Sequence, residues 1–153
     1  MDLETILQEF PIYNKLSPSE LRSLISFIEV LEFEKDEIIF SVDEPFDYIA
    51  TIYEGNVDYY VYNTEEDKVV RLGSYKRYPV GVYNVSTKKS PGIEIVATEK
   101  TILLAIHNNN MKKIEKLFPR IGMHLYKGII KAQNQILQRL TTILIKHRGQ
   151  KVP

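Results

Sequence analysis

The chain predicts a mainly β domain closed by helices at both ends. From about residue 30 to residue 106, apolar and β-branched residues fall into about eight short runs, parted by polar or Gly/Pro turns at spacings of roughly 8–12 residues. A capped amphipathic helix precedes these runs, and a long helical pattern follows them. This rhythm belongs to a sandwich, jelly roll or barrel rather than to alternating βα units.

The N-terminal helices are placed within residues 5–28. Leu3, Ile6, Leu7 and Phe10 repeat at helical spacing and stop at Pro11. In Ser17-Pro18-Ser19-Glu20, Ser17 suits the N-cap, Pro18 the first helical position, and Glu20 closes a capping box. Leu21, Leu24, Ile25 and Ile28 supply that helix's apolar stripe. Strands are then expected over Val30 to Phe33, Ile38 to Phe40, Tyr48 to Tyr53, Val57 to Tyr62, Lys68 to Leu72, Tyr78 to Val85, Ile93 to Ala97 and Ile102 to Ile106. The turns between them include Glu34-Lys35-Asp36-Glu37, Asp43-Glu44-Pro45 and Glu54-Gly55-Asn56.

Asn108, Asn109 and Asn110 offer caps for a short helix over 109–117. Pro119 then opens a terminal helix over 119–147, with Gly122 and Gly128 each weakening it by up to about 1 kcal/mol relative to Ala. One face of it carries Leu125, Ile129, Ala132, Ile136 and Ile143, and the neighbouring face Ile130, Leu137, Leu140 and Leu144. The combined stripe is wider than one sheet contact requires, so part of it is expected to cover the β core and part a partner helix. Gln133 and Arg139 interrupt a strict heptad. The remainder, from Gly149 to Pro153, reads as a frayed tail.

With 153 residues the chain is expected to be one domain, 1–153, able to bury about 70% of its unfolded surface. Twenty basic residues balance twenty acidic ones, so no net field draws it to nucleic acid or an anionic membrane. It has no cysteine, hence no disulfide or thiolate chemistry. No run approaches the roughly 20 apolar residues of a membrane span, and the acidic start Met1-Asp2-Leu3-Glu4 is unlike a signal peptide. A soluble cytoplasmic protein is expected. His107, His124 and His147 form no metal-ligand spacing, and no catalytic triad, phosphate loop or carboxylate pair is evident. No metal, no cofactor and no enzymatic activity are expected.

Two segments, with Pro119 before the long helix, together carry a resemblance: Phe33-Glu34-Lys35-Asp36-Glu37-Ile38-Ile39-Phe40, and Asp47 to Val57 with its Gly55 reversal. In this order they resemble the cyclic-nucleotide-binding domain, the sensor of catabolite-activator-type bacterial regulators that also occurs in kinase regulatory subunits and gated channels. The resemblance covers about residues 5–145 and implies an eight-stranded antiparallel β-roll, or jelly roll (double-stranded β-helix), over 30–106. Leu16 to Leu31 is similar to the family's opening helix, and Asp36 stands where its first hairpin usually has Gly.

The family's ligand cassette runs Gly-Glu-x-Ala/Ser-Leu, then a gap, then an arginine that holds the cyclic phosphate. The resemblance places Gly81, Val82, Tyr83, Asn84, Val85, Ser86, Lys88, Lys89, Pro91 and Gly92 in this cassette. Gly81 stands for the glycine, Asn84 for the small residue and Val85 for the leucine. Val82 occupies the glutamate position and Pro91 the arginine position. Valine accepts no hydrogen bond and proline carries neither charge nor donor. Each lost charge-assisted bond costs roughly 1.5–3 kcal/mol, at least about tenfold in affinity. Lys88 and Lys89 read as a solvated turn with the capacity to meet an anion. Tyr78 and Tyr83 read as strand packing, with a pocket lining as the alternative.

The resemblance thus implies a non-enzymatic regulatory or sensory module that does not bind cyclic AMP or GMP in the usual way. It would answer to an unidentified small-molecule effector or to a protein partner. It also implies a homodimer through Leu125, Ile129, Ala132, Ile136, Leu137, Leu140, Ile143 and Leu144. The alternative is the sensor domain of a catabolite-activator-type transcription regulator without its helix-turn-helix. That module needs about 60–70 further residues, so no direct DNA binding is expected of the chain as it stands. A cupin-like enzyme is the third reading.

Overall fold

The computed structural model describes residues 2–63, 65–82, 90 and 92–147. Helices α1 (Leu3–Gln8) and α2 (Pro18–Ile25) lead into eight strands: β1 (Glu29–Phe33), β2 (Ile38–Phe40), β3 (Tyr48–Glu54), β4 (Val57–Asn63), β5 (Lys68–Tyr75), β6 (Pro79–Val80), β7 (Ile93–Ala97) and β8 (Thr101–His107). Helices α3 (Asn108–Leu117) and α4 (Pro119–His147) follow. The strands form two four-stranded sheets, β1-β8-β3-β6 and β2-β7-β4-β5, with antiparallel pairing throughout. This is the mainly β jelly roll with helical ends that the sequence predicts.

The first sheet is covered on both faces. Period-2 alternation sends Ile49 of β3 and Leu104 and Ile106 of β8 toward the helices. Their neighbours Ala50, Ile52, Leu103 and Ala105 point into the roll, where they meet Val57, Tyr59, Ile93 and Ile95 of the second sheet. On the helix side, α1 and α2 contribute Leu7, Leu21 and Leu24, and α4 lays down Leu125, Ile129 and Ile136. Gly128 permits the close approach of α4 to the N-terminal segment, since a Cβ there would stand 2.8 Å from Cγ1 of Ile12. The glycine that weakens α4 as an isolated helix therefore serves its packing.

The capping box forms as read. Ser17 Oγ accepts from the Glu20 backbone N–H at 3.2 Å, and the Glu20 carboxylate accepts from the Ser17 N–H at 3.0 Å. The same carboxylate receives Arg120 Nε at 3.0 Å, so one side chain both starts α2 and ties it to the first turn of α4.

Three local expectations change. The helices expected within 5–28 end at Ile25, so the stretch from Leu16 to Leu31 that is similar to the family's opening helix is helical only over Pro18–Ile25, and β1 is already under way at Glu29. The strand expected from Tyr78 to Val85 shrinks to Pro79–Val80 because Gly81 takes φ +79°, outside the β region; its continuation past Val82 lies outside the described residues. Asn108 to Asn110 are not caps but the first turn of α3, whose N-cap is His107. Asn108 Nδ2 donates to the Phe46 carbonyl and Asn110 Nδ2 to the Phe27 carbonyl, each at 3.3 Å, and so they fasten two loops to the helix start.

Two glycines with positive φ differ in what surrounds them. Gly55 (φ +96°) has no room: a Cβ would lie 2.5 Å from the Lys100 carbonyl oxygen. Gly92 (φ +72°) meets nothing within 4 Å. We expect Gly55→Ala to lower unfolding free energy by at least about 2 kcal/mol and Gly92→Ala by only about 1 kcal/mol, measured by denaturant titration. Equal losses would contradict the packing assigned to Gly55.

Candidate functional site

The position that the resemblance assigns to a ligand lies where the chain leaves β6. Gly81 turns sharply there, and a Cβ would fall on the backbone carbonyl of Tyr48, far inside van der Waals contact. Only glycine fits. Val82 follows, fully buried, its side chain within the apolar core that β3 and β8 share with the helices. Its carbonyl accepts a hydrogen bond from Gln133 Nε2 of α4 at 2.6 Å. Gln133, which in sequence merely breaks a heptad, thus joins the long helix to the entrance of the cassette.

Tyr83, Asn84, Val85, Ser86, Lys88, Lys89 and Pro91 lie outside the described residues. Beyond them, the Ser90 hydroxyl donates to the Val42 carbonyl and accepts the Gly92 N–H at 3.1 Å. The described part of the site is therefore its two flanks, Gly81-Val82 and Ser90 with Gly92, of which Val82 is buried in the core and Ser90 is held by hydrogen bonds.

Inside the roll, aromatic side chains occupy the space between the sheets. Phe40 stacks on Phe46 with centroids 3.9 Å apart and meets Tyr48 at 4.6 Å. Burial and the nearby Asp47 and Glu29 carboxylates push the Tyr48 hydroxyl well above its ordinary pKa. A second series runs from Tyr59 to Tyr75 at 4.6 Å and on to Tyr78 at 4.9 Å, with the Arg139 guanidinium 4.8 Å over the Tyr75 ring. Tyr78 thus packs in this series and also lines a cavity between the N-terminal segment and α4, and Arg139 of α4 reaches the roll through an aromatic face.

Among the described residues, the buried polar side chains are Thr51, Asp58 and Thr101. Asp58 is committed within its sheet. Arg71 reaches it through Nε at 2.9 Å and Nη2 at 3.3 Å, Ser74 donates to it, and Tyr60 Oη lies at 3.3 Å. The Arg71 hydrogen bond holds the Asp58 carboxyl below its usual range. Thr101 Oγ1 donates toward the carbonyls of Glu99 and Asn56.

The eight residues read from sequence as one partner-facing stripe divide in two. Leu125, Ile129, Ala132 and Ile136 are buried by the protein's own core, so they are not free to meet another chain. Leu140 packs partly against the same core, and Ile143 is half-buried. Leu137 and Leu144 stay exposed at 60% and 59%, joined by Ile130 at 55% and Met123 at 49%. Met123, Ile130, Leu137 and Leu144 recur at every seventh residue, a spacing that Met123 extends one step beyond the sequence reading.

His107 Nε2 lies 2.7 Å from the Glu29 carboxylate, pairing the ends of β8 and β1. Among the described residues no group of three His, Cys, Asp or Glu is placed to hold a metal, which a metal-dependent cupin-like site would require. No described helix is long and apolar enough to cross a membrane.

No protein-family model and no curated protein matches the chain. Solved structures do. A cyclic nucleotide-binding domain from Methylobacillus flagellatus aligns with a TM-score of 0.83 at 15% identity, covering 98% of this chain and 85% of that one. The catabolite activator protein of Thermus thermophilus aligns with a TM-score of 0.71 at 15% identity, over 88% of this chain and 63% of that one. The regulatory subunit of a cAMP-independent protein kinase A from Trypanosoma brucei, a triple mutant bound to cAMP in its A site, aligns with a TM-score of 0.72 at 18% identity, over 95% of this chain and 50% of that one. The chain has the fold of the cyclic-nucleotide-binding domain. At these identities it is the architecture that is shared, and the residues of the site have to speak for themselves.

Proposed function

We propose that this protein is a non-enzymatic regulatory module in which the cyclic-nucleotide-binding fold is kept and the usual recognition of cyclic AMP and GMP is given up. The observation that carries this reading is Val82. A carboxylate at this position would have to reach a sugar hydroxyl; the side chain present is apolar and sealed in the core, and its backbone carbonyl is taken by Gln133. Pro91, at the position the resemblance gives to the phosphate-binding arginine, removes the second contact. That a kinase regulatory subunit described as cAMP-independent has this fold is in keeping with the reading.

The output side is the long helix. Its inner face is fixed to the roll, and its outer stripe of Met123, Ile130, Leu137 and Leu144 offers a seam for a second copy of the helix. A change at the cassette would be felt on α4 through the Gln133–Val82 hydrogen bond. Chains of which this fold forms only part, such as the catabolite activator, favour a second reading in which the module is the sensing half of a larger regulator.

Calorimetric titration with cyclic AMP and cyclic GMP is expected to give no saturable heat up to about 1 mM ligand; micromolar binding of either would overturn the proposal. For the assembly, light scattering is expected to find a dimer, and Leu137→Glu to give a folded monomer, because a carboxylate on the seam is buried only when the dimer forms. A wild-type monomer would refute the seam.

A further inference from the structure

The even charge of the whole chain conceals a division within it. Residues 1–107 hold nineteen acidic and ten basic side chains, whereas residues 108–153 hold ten basic and one acidic. That one acid, Glu115 of α3, meets the Tyr126 hydroxyl. α4 has no Asp or Glu anywhere in its 29 residues. The helices gather the cations on two faces. On α3, Asn109, Lys112, Lys113 and Lys116 recur at i, i+3, i+4 and i+7, opposite the buried Met111 and Ile114. On α4, Arg120, Lys127, Lys131, Asn134 and Gln138 recur at i, i+7, i+11, i+14 and i+18, opposite the buried Leu125 and Ile129. All nine of these side chains are exposed. Because Met111, Ile114, Leu125 and Ile129 share one core, both cationic faces turn outward from it.

A helix face that merely meets water commonly mixes both signs, so that residues four apart attract. These faces do the reverse. Lys112 and Lys116, and again Lys127 and Lys131, are like charges at i, i+4, which weakens each helix. Elsewhere in the protein Arg22, Arg71, Arg77, Lys68, Lys76 and Lys100 each meet a carboxylate. On the two faces Arg120 alone does so, bound by Glu20 at 3.0 Å. Lys112, Lys113, Lys116, Lys127 and Lys131 have no ion-pair partner among the described residues. A polyanion laid on them would turn their mutual repulsion into attraction.

We propose that the outer faces of α3 and α4 form a binding surface for the phosphate backbone of double-stranded nucleic acid, without preference for base sequence. A duplex carries one negative charge per about 1.7 Å of its axis. The stripe from Arg120 to Lys131 is about 16 Å long at the helical rise, so it spans several phosphates. The side chains interleaved with the lysines are the amides of Asn109, Asn134 and Gln138, which donate to phosphate oxygens as lysine does. No aromatic ring lies among them to stack the bases of a single strand, and no large apolar side chain to enter a lipid surface. The contact needs no helix-turn-helix, and it rests on neither the cassette nor the apolar seam of α4.

Fluorescence anisotropy of a labelled DNA duplex of about 20 base pairs, titrated with the whole protein at about 50 mM salt, is expected to saturate with a dissociation constant on the order of 10 μM. The logarithm of affinity should fall against the logarithm of salt concentration with a slope of about −4. The triple variant Lys112→Gln, Lys113→Gln, Lys116→Gln and the double variant Lys127→Gln, Lys131→Gln should each weaken binding at least about fivefold and flatten the slope by about two. Lys68→Gln with Lys100→Gln, on the roll, should leave affinity and slope unchanged. The proposal is overturned if the duplex does not bind at low salt, or if both helix variants bind it as the wild type does. It is overturned equally if polyglutamate, or vesicles of phosphatidylserine and phosphatidylcholine, take up the protein where the duplex does not.

Discussion

Everything in this molecule depends on one sheet being buried from two sides. In β1-β8-β3-β6, the alternate residues of β3 and β8 serve two cores, one shared with the helices and one shared with the second sheet. A sheet buried on both faces fixes its register firmly, since a slip by one residue would exchange the two sets of side chains. The long helix can lie across the outer face only because that face is apolar, and the roll can close only because the inner face is. Burial of Leu125, Ile129 and Ile136 on this sheet also sets the rotation of α4, and that rotation leaves Met123, Ile130, Leu137 and Leu144 pointing away. The candidate output surface is thus a consequence of the core.

Features governed by local chemistry were legible in the sequence. Ser17-Pro18-Ser19-Glu20 can do little else than start a helix, and it does so with both halves of the capping box. Gly55 marks a reversal that no side chain could enter. Asp36, standing where the family's hairpin usually has glycine, adopts φ +71°, a conformation that aspartate tolerates better than most residues. The terminal helix was equally clear from its apolar period.

Features decided by long-range packing were not. The stripe on α4 reads alike whether its residues meet their own sheet or a second helix, because periodicity reports that a face is apolar and not what covers it. Leu125 and Leu137 have the same chemistry and opposite fates. Gln133 looked like an interruption because its partner, the Val82 carbonyl, is 51 residues away in the chain. Thr51 gave no signal at all: a threonine inside an apolar strand is ordinary, and only the fold shows that its buried hydroxyl meets that of Tyr13, far away in the chain.

Gly81 holds a positive φ in a space that admits no Cβ, while Val82 lies in the core on which the sheet and α4 depend. The central claim is that position 82 is a structural position and no longer a recognition position. Val82→Glu tests it most directly, with stability and cyclic AMP affinity measured on the same variant. Burying a carboxylate in that core should lower unfolding free energy by about 3 kcal/mol or more, with no gain in cyclic AMP binding. A variant that is as stable as the wild type and acquires cyclic AMP binding would contradict the account.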